Sequence, residues 1–122
     1  MDNSKEFMAM AENNLESARV LFNIEKYRNV ISLGYYAMFY SASALLSKKC
    51  IYTKSHSGLI TQFYKEYVKN GDFNPDIAKY LGRAESNREI ADYETFIEFS
   101  ERKALQTLEE AEIFITEAMK FF

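Results

Sequence analysis

The sequence predicts an all-α fold, an up-and-down bundle of four to five helices in a single domain spanning residues 1–122. Three observations carry this. Apolar residues recur three and four apart through every long segment, and no alternating run is long enough for a paired strand. With four Gly and one Pro there are few breakers, which favours long helices joined by short connections. Hydrophobic residues make up 48% and aromatics 16%, enough for a packed core and too much for a disordered chain.

The first helix is expected from about Ser4 to Ile24. Asn3 and Glu6 are spaced as a capping pair, and Met8, Ala11, Leu15, Ala18 and Phe22 form one apolar face. The second, about Arg28 to Lys49, is apolar nearly all round, as expected of a central helix. Gly34, Ala37, Ser41 and Ala44 give it a narrow strip of small residues that invites close approach of a neighbouring backbone. Its aromatic run Tyr35, Tyr36, Phe39, Tyr40 reads as core or interface, and Cys50 at its end reads as packing.

After a turn through Tyr52 to Ser57, a third helix carries Leu59, Ile60, Phe63, Tyr67 and Val68, closed by Asn70-Gly71. Asn74-Pro75 opens a fourth, in the order cap then proline, with Gly82 weakening its middle and a break expected near Asp92 to Thr95. Thr95 and Glu98 are spaced as a capping box for the last helix, where Ala104, Leu108, Ala111, Ile115, Ala118 and Phe122 repeat. There Glu109, Glu110, Glu112 and Glu117 are expected to stay wet. The third and fourth helices are expected to be the shorter ones.

Charge narrows the function classes. A net charge of -3 means that the whole molecule does not attract nucleic acid, so such binding needs a local basic patch. One His and one Cys offer no metal-ligand cluster, and no cofactor is expected. There is no nucleophile elbow and no Gly-rich phosphate loop. Without a leader pattern or an unbroken apolar span, the expected location is the cytoplasm, away from membranes.

The most pointed residue is Arg88. Ile77, Leu81, Ala84 and Ala91 lie on one helix face, and at about 100° per residue Arg88 falls among them. A guanidinium there must be paired, hydrogen-bonded or facing a wet cleft. Asp92 is one turn on and able to pair with it. Arg83, Arg88, Asp92 and Tyr93, with Lys79 upstream, therefore form either a helix-end ion pair with Tyr93 under the following loop or a cleft that holds a phosphate. The polar turn Thr53 to Gly58, with Lys54 and His56, is either an anion site at a helix N-terminus or simple capping by Ser55 or Ser57.

The segments Gly34–Tyr40, Lys54–Ile60 and Arg88–Tyr93, in this order and spacing, resemble the HEPN family (higher eukaryotes and prokaryotes nucleotide-binding) in its small stand-alone archaeal and bacterial branch. The resemblance implies an all-α bundle, usually dimeric, often encoded beside a minimal nucleotidyltransferase as a toxin and antitoxin pair. It also implies metal-independent ribonuclease activity in many members, with a signature of an Arg, four to six intervening residues and a His. Arg88 matches the arginine. Tyr93 stands where the His would be, and no His follows it.

On the resemblance, the expected function is a homodimeric, non-enzymatic or weakly active bundle. It would bind a nucleotidyltransferase partner and a nucleotide or RNA phosphate near Arg88, with Arg83, Asp92 and Lys54 contributing. The alternative is an endoribonuclease toxin in which Arg88 holds the scissile phosphate and His56, entering from another helix or a dimer mate, or Tyr93 moves protons. A structural adaptor is the third reading. In some toxin pairs of this family the nucleotidyltransferase modifies a tyrosine near the site, and Tyr93 is the nearest equivalent. Contacts between copies are expected among Tyr36, Tyr40 and Tyr93.

Overall fold

The computed structural model describes residues 2–122 and contains five α-helices, with no strand among the described residues. They are α1 (Ser4–Asn23), α2 (Tyr27–Lys48), α3 (His56–Phe63), α4 (Pro75–Tyr93) and α5 (Glu101–Met119). The all-round apolar α2 sits at the centre, and α1, α3, α4 and α5 all pack on it. It has the length and composition of a membrane span, but most of its surface is covered by the other helices. Its strip of small residues does what such a strip allows: Gly34, Ala37, Ser41 and Ala44 are all buried. A Cβ on Gly34 would stand 2.6 Å from the Thr107 methyl of α5.

The core is continuous along this axis. At one end Phe63, Phe73 and Phe114 interlock, with ring centroids 4.9 Å apart for Phe63 and Phe73 and 5.0 Å for Phe73 and Phe114. These rings join α3 and the α3–α4 connection to α5. After Phe63 the helix widens into a π-helical turn, Tyr64–Val68, whose ring Tyr67 is buried and donates to the Leu45 carbonyl. Gly71 then takes a left-handed conformation at φ +86°, the role expected of it. Asn74 caps α4 as expected, its side chain accepting from the amides of Asp76 and Ile77, with Pro75 in the first turn.

Other sequence expectations are corrected. Asn3 does not cap α1: its φ and ψ of -104° and 22° lie outside the extended region a capping residue needs. Asp2 accepts from the Ser4 amide instead, and the Asn3 amide donates to Ser47 at the far end of α2. The Thr95–Glu98 box is not formed either, because α5 begins later, with the Ser100 hydroxyl accepting from the Lys103 amide. Residues 94–100 are instead a connection clasped from α2. Arg28 donates to the carbonyls of Ala91, Thr95 and Ile97, and its guanidinium lies over Phe99.

Nor is α4 a short helix. It runs 19 residues straight through Gly82, as long as α5. Cys50, expected to pack, is exposed. It is the left-handed residue, φ 58°, that terminates α2, so its side chain leaves the core with the turning chain. Phe122 likewise lies beyond α5 and is exposed, with Lys48 over its ring. Glu117 is buried, not wet: it accepts from the Asn74 amide at 3.1 Å and from Lys120 at 2.8 Å.

Candidate functional site

The buried face of α4 is Ala78, Leu81, Ala84, Arg88 and Ala91, so the arginine lies on the apolar stripe as its spacing predicts. Only 8% of Arg88 is exposed. The cost of burying the guanidinium is met by pairing on both sides. Nη1 donates to Asp92 Oδ2 at 2.9 Å and Nη2 to Glu85 Oε1 at 2.5 Å, while its Cζ lies 5.4 Å from the centre of the Tyr35 ring. Burial acts against its charge, but Asp92 and Glu85 outweigh it and hold Arg88 firmly protonated, above its ordinary pKa.

The two carboxylates differ. Asp92, at the mouth, has a side chain 40% exposed and a further contact from Ser32 Oγ at 3.4 Å. Glu85, 14% exposed, lies deeper. Burial raises the Glu85 pKa, but neighbouring Tyr35 and Arg88 more than reverse this and keep it ionised below the usual carboxylate value. Two atoms of the cluster remain without a hydrogen-bond partner although buried, Glu85 Oε2 and Arg88 Nε.

The second sequence constellation arrives from another direction. His56 is the first residue of α3, capped by Ser55, whose hydroxyl accepts from the Gly58 amide at 2.9 Å. The cap delivers the imidazole onto an aromatic platform built by α2. Its ring centroid is 4.7 Å from Phe39, 5.7 Å from Tyr35 and 6.0 Å from Tyr36. His56 Nδ1 lies 2.6 Å from the Tyr35 hydroxyl and 3.7 Å from Glu85 Oε2. Burial, with the Glu85 charge adding to it, pushes the Tyr35 phenol well above its ordinary pKa, so it keeps its proton.

The structure thus brings together Arg88, Asp92 and His56, on two helices, around Tyr35 and Glu85. The other named residues make no hydrogen bond or ion pair with this cluster among the described residues. Arg83 points across to α5 and pairs with Glu110 at 3.0 Å, because five residues along a helix turn it well away from Arg88. Lys54 is exposed in the α2–α3 connection. Tyr93 is 77% exposed and not packed under the following loop, since Arg28 holds that loop from the α2 side.

Two members of the cluster were not singled out from sequence as site residues. Glu85 had a readable signal, an acid three residues before an arginine on the same helix. Tyr35 had none that separates it from its aromatic neighbours, as its role rests on a contact with a residue 21 positions away.

Comparison with known proteins agrees with this architecture. The family model described as HEPN domain matches residues 4–121. A Methanocaldococcus jannaschii protein named "Putative toxin MJ0142" is 36% identical over 111 residues, 91% of this chain and 76% of that protein. A UPF0332 protein of Thermotoga maritima is 34% identical, covering 83% of this chain and 76% of its own length. A UPF0332 protein of Archaeoglobus fulgidus is 33% identical, with coverages of 97% and 94%.

Proposed function

The chain belongs to the HEPN domain family, and on that premise we propose that it is a toxin-type member. It acts in the cytoplasm as a homodimer beside a minimal nucleotidyltransferase and takes a phosphate group, of a nucleotide or of RNA, into the cleft around Arg88. The toxin reading draws on the name carried by the Methanocaldococcus jannaschii relative. The observation that carries the ligand reading is the unequal pairing of Arg88. Glu85 is enclosed and stays, whereas half-open Asp92 is an exchangeable anion, and Arg88 Nε is still without a partner.

A phosphate oxygen that displaces Asp92 replaces one charge-assisted bond by another and meets a guanidinium already desolvated and oriented. With two carboxylates on one arginine the cluster carries net negative charge, so removing the competing acid favours an incoming anion. Homodimerisation draws on the outer face of α2, where Tyr36 and Tyr40 are only half covered and border a shallow groove with Met10, Asn13 and Asn14.

Titration of ATP and of a short RNA tests the ligand. Asp92→Asn is expected to tighten binding and Arg88→Met to weaken it about tenfold or more. Failure of the folded wild-type protein to bind either ligand overturns the reading. Sedimentation equilibrium is expected to give a dimer at micromolar concentration, and a monomer there would remove the homodimer. Co-purification with a minimal nucleotidyltransferase tests the partner.

A further inference from the structure

We propose that the cavity at the start of α3 is a nucleobase pocket for a flanking pyrimidine, so that the molecule takes a single-stranded oligonucleotide and not one nucleotide. This rests on the reading that Arg88 receives a phosphate.

The cavity measures about 130 Å³ and lies where α1, α2 and the α2–α3 connection meet α3. Phe7, Phe39 and Tyr52 give it aromatic walls, Leu46 and Leu59 an aliphatic one, and the buried Ser43 a hydroxyl. An apolar cavity of about 150 Å³ holds a benzene ring, so this one admits a six-membered ring and not the fused pair of a purine. Its walls are held in place. Phe7 stacks on Tyr40 with centroids 6.4 Å apart, and Phe39 is backed by Tyr35 at 5.8 Å and His56 at 4.7 Å.

Aromatic side chains are what unpaired bases stack on, provided that the polar edge of the base finds hydrogen bonds. This pocket supplies them. The Ser43 hydroxyl donates to the Phe39 carbonyl at 2.9 Å, which leaves its oxygen to accept from a ring N–H or an exocyclic amine. Thr53 and the half-exposed Tyr52 form the side made by the α2–α3 connection, where a base carbonyl meets a hydroxyl or solvent.

Pocket and cleft follow one line along α2. Successive turns set Ser32 against Asp92, Tyr35 against Arg88, Phe39 against His56, and Ser43 with Leu46 into the cavity. From Tyr35 to Ser43 and Leu46 is roughly 12 to 16 Å at the helical rise. A single nucleotide does not span that distance, whereas two neighbouring nucleotides of an extended strand do. Charge favours the same occupant. Residues 46–70 carry five Lys against one acid, Glu66, in a chain of net charge -3, and this is the local basic stretch that a polyanion needs. Exposed Lys54 directly follows Thr53 of the pocket wall, placed to meet the backbone of a strand that enters there.

The test titrates the full chain with hexamers of 2′-O-methyluridine, 2′-O-methylcytidine and 2′-O-methyladenosine, whose blocked 2′-oxygens keep the strands intact, and with UMP and AMP. The pyrimidine hexamers are expected to bind about fivefold or more tighter than the adenosine hexamer. UMP and AMP are expected to bind equally, because neither reaches from Arg88 to the pocket. Ser43→Leu fills the cavity and is expected to bring the pyrimidine hexamers down to the adenosine value. Tyr52→Ala, at an exposed position that leaves the core intact, is expected to narrow the same difference. Asp92→Asn is expected to tighten all three hexamers alike, and Arg88→Met to weaken all three. Equal affinity for pyrimidine and adenosine hexamers, UMP binding as tight as that of the uridine hexamer, or a preference that survives both Ser43→Leu and Tyr52→Ala overturns the pocket while the phosphate reading stands. Absence of hexamer binding, or affinities that neither Asp92→Asn nor Arg88→Met moves, overturns both.

Discussion

Arg88 Nη2 donates to Glu85 Oε1 at 2.5 Å from one turn further along α4, and both side chains are largely enclosed. Breaking such a pair strands the remaining charge in a poorly solvated place, whereas replacing both partners by neutral groups does not. Arg88→Met is therefore expected to cost roughly 3 kcal/mol of folding stability. The double change Arg88→Met with Glu85→Gln is expected to recover most of it. Urea unfolding of the two single variants and the double variant gives the coupling, and additive losses would show that the pair is not coupled.

The acid limb of stability follows from two carboxylates. Burial raises the Glu85 pKa, but Tyr35 and Arg88 reverse this and leave it below its ordinary 4.5. Lys120, with the Asn74 amide, lowers that of Glu117. A group whose folded pKa is depressed contributes stability that is complete above the unfolded value and lost as pH falls through the folded one. Stability is thus expected to decline as pH drops below about 4.5. Glu117→Gln should flatten that decline when melting temperature is followed against pH.

The alkaline limb has the opposite sign. Burial pushes the Tyr67 phenol up to about 12, with Asp72 and Glu66 adding to the effect. The neutral form is favoured in the fold, so its contribution is present below pH 10 and is lost as pH rises from 10 to about 12. Tyr67→Phe, which cannot ionise, is expected to lose stability at neutral pH through the missing bond to the Leu45 carbonyl but to show a shallower alkaline decline. A decline as steep as that of wild type would contradict this.

Two helical glycines are expected to respond in opposite directions to alanine. Nothing lies within 4 Å of a Cβ on Gly82, so Gly82→Ala should stabilise by about 1 kcal/mol through helix propensity. At Gly34 the new methyl would meet Thr107 Cγ2 at 2.6 Å, and Thr107 cannot rotate away without losing its hydrogen bond to the Lys103 carbonyl. Gly34→Ala should cost roughly 1 to 3 kcal/mol. Thermal melts compare them directly.

At the end of α2, Cys50→Gly is expected to stabilise by about 0.5 to 1 kcal/mol, since the left-handed backbone there strains any residue with a Cβ. A lower melting point for this variant would show that the turn tolerates cysteine without strain.

Local patterns were legible where a residue's role depends on its chain neighbours. The apolar stripes of α1 and α5, the Asn74-Pro75 start of α4 and the left-handed Gly71 follow from spacing within a few residues. They were not legible where a distant element competes. Asn3 and Thr95 have capping spacings, but the Ser47 hydroxyl and the Arg28 guanidinium, respectively 44 and 67 residues away, claim the backbone around them.

The candidate site divides along the same line. The sequence by itself determined that α4 carries a cation on its buried face with Asp92 one turn on, because helix periodicity alone puts them there. Only the tertiary structure decided that Arg83 pairs with α5, that Tyr93 stands exposed, and that Glu85 is shared between Arg88 and an imidazole from α3. The physical reason is reach. A helix repeat relates residues three and four apart, whereas the meeting of His56, Tyr35 and Glu85 depends on how three helices pack around α2, which no short-range pattern encodes.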